Sequence, residues 1–196
     1  MVGADASASQ GSGSLDREWW LRALLVLQRP RPVFAALADD SDEAAGARQE
    51  PVTALVFLAG IGSVLATGAA GRLLDNPSDD YDALLIAVWA IVGGGIYGIA
   101  SYFVFGGVVL GLLRALDSRA SYRQARHALG LSAAPIALWL IAVWPIELAV
   151  HGRALFRTGG SDSELGGHVF DAIGAGFLLW SLVLLAIAVS TLRRRR

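Results

Sequence analysis

An almost uninterrupted apolar run over residues 81–116 constrains this chain more than any other feature. A helix of about 30 residues rises roughly 45 Å, whereas the hydrocarbon core of a bilayer is only about 30 Å thick. The run is therefore either one long, tilted or kinked membrane span or a hairpin of two short spans. This choice decides which loops face the cytoplasm, and so where a partner could bind.

The composition is that of a membrane protein. Hydrophobic residues make up 55% of the chain and charged residues 17%, and the mean hydropathy is +0.53. Soluble domains carry about 25% charged residues. Cysteine is absent, which excludes disulfides, thiol catalysis and thiolate metal sites. All 16 basic residues are arginine, a bias that we interpret as the coding of a GC-rich bacterium.

The pattern predicts an all-α, polytopic membrane bundle of four transmembrane helices, preceded by an interfacial amphipathic helix. We expect a disordered tail over residues 1–14, a cytoplasmic or interfacial helical segment over 15–50, a membrane domain over 51–192 and a basic tail over 193–196. The spans are predicted at about 52–70, 83–113, 130–150 and 169–192.

Arginine placement favours a single span over residues 81–116. Four spans with both termini cytoplasmic put thirteen arginines inside and three outside, whereas a hairpin model divides them seven to nine. Positively charged residues are enriched in cytoplasmic loops. We therefore predict a plasma-membrane protein with four spans and with both termini in the cytoplasm.

The N-terminal segment should form a helix over residues 15–28, with Glu18 and Arg22 spaced for an i, i+4 ion pair. Its paired Trp19 and Trp20 suit the headgroup region of a bilayer, but packing against the bundle stays an equal alternative. The acidic stretch at residues 39–43 is predicted to be a solvated linker.

Local signals predict the course of the third span. Ser121 and Gln124 have the spacing of a capping box, so a helix should begin at Tyr122. Pro135 should kink the span near its entry, and Pro145 near its exit.

Glycines in the second span have two interpretations. The pairs Gly94/Gly98 and Gly107/Gly111 could let neighbouring helices touch backbone to backbone, or they could mark a broken helix along a substrate path. Packing is favoured, because no polar side chain accompanies a break.

The chain shows no catalytic, metal or cofactor motif. The acids of residues 75–82 lack the spacing of a calcium loop, and the three histidines lack zinc-helix spacing. Glu147, near the predicted outer end of the third span, is the strongest functional candidate, because acids inside membranes are costly. Arg119, Arg123 and Arg126 either anchor the topology or bind an anionic lipid or an acidic partner.

Two short motifs resemble the YIP (Ypt-interacting protein) domain family. Gly130 and Pro135 match a Gly-Tyr-x-x-x-Pro pattern in which Leu131 replaces the tyrosine, and Gly94 to Gly98, including Tyr97, is similar to the family's Gly-Tyr-Ile-Tyr-Gly. The resemblance implies a multi-span, non-enzymatic membrane protein with a cytosolic N-terminal region. Eukaryotic members act in vesicle trafficking and bind prenylated small GTPases. The family usually has five spans, so we carry over the architecture and not the partner.

We expect a non-catalytic membrane adaptor without a cofactor. Its partners would be membrane lipids, a second copy of itself or another membrane protein. We expect no nucleic acid among them. Trp19, Trp20 and the arginines of residues 119–126 would form its cytoplasmic contact surface. The alternative is a small transporter or permease subunit that uses Glu147 and the glycine-rich second span.

Overall fold

The structure, a computed structural model, describes residues 17–67, 83–159 and 165–194, and the regular secondary structure of these residues is helical. Helix α1 covers residues 17–25. It is followed by α2 (Pro30–Ala36), α3 (Asp42–Leu65), α4 (Ala83–Ala115), α5 (Tyr122–Ser132), α6 (Ala134–Ala142), α7 (Trp144–His151), a short 3-10 helix (Gly152–Phe156) and α8 (Leu165–Arg193). No strand occurs in the described ranges, so the all-α prediction is confirmed there.

Helix α4 is one continuous helix of 33 residues. Its glycines lie within regular helix, so no turn divides the run into a hairpin. The first two residues of the apolar run, 81 and 82, lie outside the described part of the chain. The single-helix interpretation therefore holds over Ala83–Ala115, and a hairpin within these residues is excluded.

The capping box and both proline breaks are confirmed. The Ser121 hydroxyl accepts a hydrogen bond from the Gln124 amide, and the Gln124 side-chain oxygen accepts one from the Ser121 amide. Helix α6 then begins with Pro135 in its first turn, and α7 begins with Pro145 in its first turn. Proline lacks the amide hydrogen that an interior helical position needs, which is why each one starts a new helix.

The bundle has two distinguishable ends. At the near end, buried Phe34 and Leu37 share one hydrophobic core with Leu113 at the end of α4 and Leu192 at the end of α8. At the far end, Glu147 of α7 and residues from the end of α3 and the start of α8 line one cavity. The chain therefore passes between the two ends four times, through α3, α4, α5–α7 and α8.

Three stretches of the described residues are long and apolar enough to cross a membrane: Leu85–Ala115, Tyr122–Phe156 and Gly166–Arg193. Helix α3 is not among them, because its first turns are charged and its apolar part, from Pro51 to Leu65, is shorter than the roughly 20 residues that a span needs. Residues 68–70 of the predicted first span lie outside the described ranges. The fourth span thus stays a prediction.

Helices α3 and α4 touch backbone to backbone. A Cβ atom added at Gly60 would lie 2.6 Å from Gly98 Cα, and one at Gly94 would lie 2.5 Å from Ile61 Cα. Gly94 and Gly98 therefore serve packing, as favoured above. A Cβ added at Gly107 or Gly111 would meet nothing within 4 Å, so this pair packs against no other helix of the described chain.

Candidate functional site

A cluster of buried and half-buried polar side chains lies at the near end, where the start of α3 meets α5. We call it the polar cluster: Asp40, Arg48, Ser121, Arg123 and His127. Arg48 is fully buried. Its Nε donates to His127 Nδ1 at 2.7 Å, and its terminal nitrogens donate to the Asp39 carbonyl at 2.6 Å and to Asp40 Oδ1 at 2.9 Å. Every nitrogen of this guanidinium thus has an acceptor, as a buried charge requires.

The Asp40 carboxylate joins the two helices. Its Oδ1 accepts from Arg48 and also lies 3.1 Å from Arg123 Nε, while its Oδ2 accepts from the Ser121 hydroxyl at 2.6 Å. Arg123 reaches further to Asp42 Oδ1 at 2.7 Å. The prediction that residues 39–43 form a solvated linker is therefore wrong at Asp40, because two guanidinium groups neutralise its charge.

His127 is held as a neutral imidazole. An arginine side chain can only donate, so Nδ1 must carry the lone pair that accepts from Arg48. Nε2 then carries the hydrogen and faces Gln49 Oε1 at 3.2 Å. Burial lowers the pKa of Arg48 and the Asp40 carboxylate opposes this shift. Since an arginine starts far above neutral pH, it stays charged.

The other arginines named above have different surroundings. The Arg126 guanidinium lies over three aromatic rings, those of Tyr102, Phe103 and Tyr122, at 5.3–5.9 Å from their centroids. Such cation–π contacts hold a positive charge against an apolar surface. Arg119 is exposed and Arg123 is part of the polar cluster. The three arginines therefore do not form one continuous basic surface.

Helix α1 has two apolar faces. Trp19 and Ala23, together with Val26 just after the helix, are buried in the core, and the Arg48 guanidinium lies 5.7 Å from the Trp19 ring. The opposite side carries exposed apolar side chains, which we call the outer α1 face: Trp20, Leu21, Leu24 and Leu25. Glu18 and Arg22 form the expected ion pair. The two tryptophans thus lie on opposite sides, and only Trp20 is available for contact.

A cavity of about 580 Å³ opens among α3, α6, α7 and α8, and we call it the far-end cavity. Glu147 lines it and is 8% exposed. Of the remaining predicted site residues, Tyr97 is half-exposed, whereas Pro135 and Gly130 are buried. A Cβ atom on Gly130 would lie 2.6 Å from Val52, so this glycine lets α5 approach α3.

The comparison with protein families decides the identification. The family model for the Yip1 domain matches residues 24–195. The chain belongs to the Yip1 domain family. No curated protein and no solved structure matches significantly. The Yip1 domain thus includes both the polar cluster and the far-end cavity, and the three apolar stretches make this a multi-pass membrane protein. The family match does not bear out the bacterial source that we inferred from the composition.

Sequence patterns missed the residues at the centre of the polar cluster. Arg48 lies just before the apolar half of α3, and His127 lies among small and apolar residues of α5. A charged residue placed within one turn of an apolar segment is the signal that could have found Arg48, since buried arginines need partners. No metal site replaces the cluster, because no group of three His, Cys, Asp or Glu able to hold a metal occurs among the described residues.

Replacing Ser121 with alanine tests the link between α5 and the N-terminal segment. Ser121→Ala removes both the helix cap and the donor to Asp40, so the free energy of unfolding in mixed micelles should fall by about 1–2 kcal/mol. Ser190→Ala is the matched control, because the exposed Ser190 hydroxyl bonds only within its own helix. Equal stability of the two variants would contradict the cluster's structural role.

Proposed function

We propose that this Yip1 domain protein is a non-catalytic membrane adaptor. It crosses the plasma membrane four times, with both termini and the near end in the cytoplasm. The observation that carries the proposal is the outer α1 face: four large apolar side chains exposed on a helix whose other side is fixed in the core. Large exposed apolar patches in proteins are typical of interaction sites.

The polar cluster supports this proposal, because it fixes the segment that presents the face. Asp40 immediately follows the α1–α2 region and is bonded to both α3 and α5. Gln124 Nε2 also donates to the Leu37 carbonyl at 2.9 Å. A surface ordered before binding loses less conformational freedom on binding. The N-terminal segment is thus suited to act as a preformed contact surface.

Arginine distribution supports the orientation. Exposed arginines are concentrated on the near end and on the elements packed against it: Arg17, Arg29, Arg31, Arg114, Arg119, Arg193 and Arg194. The far end has Arg153 and Arg157 among its described residues. Under the positive-inside rule the near end is the cytoplasmic one. Four passes between the two ends agree with four spans, provided that α3 and the residues after it complete the first crossing.

The transport alternative finds no support. It needs a substrate path along a broken second span, but α4 is an uninterrupted helix. Gly94 and Gly98 contact the α3 backbone and are therefore used for packing.

Photo-crosslinking in native membranes tests the adaptor function. A photoreactive amino acid at Leu24, which is 64% exposed, should give a discrete adduct with a second copy or with another membrane protein. The same group at the exposed Glu43 is the control and should give none. Lipid adducts alone at Leu24, together with a strictly monomeric protein in mild detergent, would contradict the proposal.

A further inference from the structure

The far-end cavity has no part in the adaptor function. Its volume of about 580 Å³ lies within the range of about 300–1,000 Å³ that is typical of small-molecule sites. It extends from Gly62 and Ile136, well inside the bundle, to Thr67 and Thr158 near the end of the described helices. The cavity is therefore deep enough to enclose a ligand.

Glu147 is a buried carboxyl group with no hydrogen-bond partner among the residues that the structure describes. It is 8% exposed and lines the cavity, and it makes no hydrogen bond or ion pair with any residue that the structure describes. Its oxygens are not sealed off, in contrast to the indole nitrogen of Trp139, which is buried without a partner. An unpaired carboxylate in such a site is costly. A positively charged ligand would remove that cost.

The surroundings of Glu147 select for a cation with an organic surface. Asp171 is a second acid in the lining, and no described lining residue is basic. Four of the lining side chains are aromatic: Trp139, Trp144, Phe170 and Phe177. Aromatic faces attract ammonium groups, above all quaternary ones. A compact metal ion would instead need several oxygen or nitrogen ligands, and no such group occurs in the described ranges.

We propose that the far-end cavity binds an organic ammonium group, with Glu147 as its counter-charge and the aromatic side chains as its walls. The ammonium group belongs either to a lipid headgroup or to a free amine. The cavity exceeds the size of an ammonium group alone, so the ligand has a further neutral or apolar part that fills the remaining volume.

Calorimetric titration of the full chain in a maltoside detergent tests the site. The probes are choline, dihexanoyl phosphatidylcholine and 3,3-dimethylbutanol, the last being an uncharged molecule with the shape of choline. Choline and dihexanoyl phosphatidylcholine both carry a quaternary ammonium group, and at least one of these two probes should bind saturably. Glu147→Gln keeps the shape and removes the charge, so it should weaken that binding at least about tenfold. Glu50→Gln, which removes an exposed acid at the opposite end, should leave it unchanged.

Choline and the short-chain phosphatidylcholine distinguish the two sources of the ammonium group. Binding of the lipid alone assigns the site to a headgroup, and binding of choline assigns it to a free amine. Equal affinity in the wild type and Glu147→Gln, equal binding of the uncharged probe, or no saturable binding overturns the proposal. If Glu147→Gln fails to fold, Asp171→Asn replaces it. That side chain is exposed, and its loss should weaken binding severalfold; unchanged binding would contradict the site.

Discussion

Replacing Arg48 with methionine is expected to lower the free energy of unfolding by about 3–5 kcal/mol, because His127 Nδ1, the Asp39 carbonyl and Asp40 Oδ1 all lose the donor that Arg48 supplies. Methionine fills much of the volume but cannot donate. Asp40 would keep Arg123 and Ser121 but lose one buried donor, and His127 Nδ1 would lose its only described donor. Unfolding in mixed micelles, followed by circular dichroism, measures the change.

Arg119→Met is the matched control for this loss. Arg119 is exposed at the same end of the bundle, so its replacement should change the free energy of unfolding by less than about 0.5 kcal/mol. The double variant Arg48→Met/Asp40→Asn should lose less free energy of unfolding than the sum of the losses of its two single variants, since both substitutions remove the same ion pair. A loss below about 1 kcal/mol for Arg48→Met would contradict a structural role for the cluster.

Gly60→Ala is expected to separate α3 from α4. The new methyl group would meet the Gly94 carbonyl oxygen and, at 2.6 Å, the Cα of Gly98. Both obstacles are backbone atoms, which cannot rotate away as a side chain could. The free energy of unfolding should therefore fall by at least about 2 kcal/mol, toward the upper part of the range for overpacked cores.

Gly107→Ala is the control, because it makes the same change on α4 where a Cβ atom meets nothing within 4 Å. There the higher helix propensity of alanine should leave the protein equally stable or up to about 1 kcal/mol more stable. Gly60→Ala should therefore lower the free energy of unfolding, whereas Gly107→Ala should leave it unchanged or raise it. A stable Gly60→Ala protein would show that the two helices do not touch as described.

The course of the helices could be predicted because its signals are local. A proline excludes an interior helical position, so Pro135 and Pro145 mark the breaks of the third span from the sequence alone. The capping box is a pattern of four adjacent residues. The arginine count, which predicts the number and orientation of the spans, is not a local signal. It sums the charges of whole loops and does not depend on which residues are in contact.

The contacts between helices could not be predicted, because they join residues far apart in sequence. Arg48 and His127 are 79 positions apart, and neither has a partner in its own helix that would indicate the pair. The same holds for Gly60. Gly60 meets the backbone of Gly94 and Gly98 in α4, and no local pattern in α3 indicates this contact. Helix rotation about its own axis decides which residue faces a neighbour.

The most direct test of the account is the orientation of the two ends of the bundle, since the adaptor function needs the near end in the cytoplasm. The chain has no cysteine, so single cysteines at Ser78, Ser118, Ser161 and the C-terminus can be labelled in intact cells with an impermeant maleimide. We expect positions 78 and 161 to react, and position 118 and the C-terminus to react only after permeabilisation. Labelling of position 118 in intact cells would contradict the four-span topology and the cytoplasmic near end.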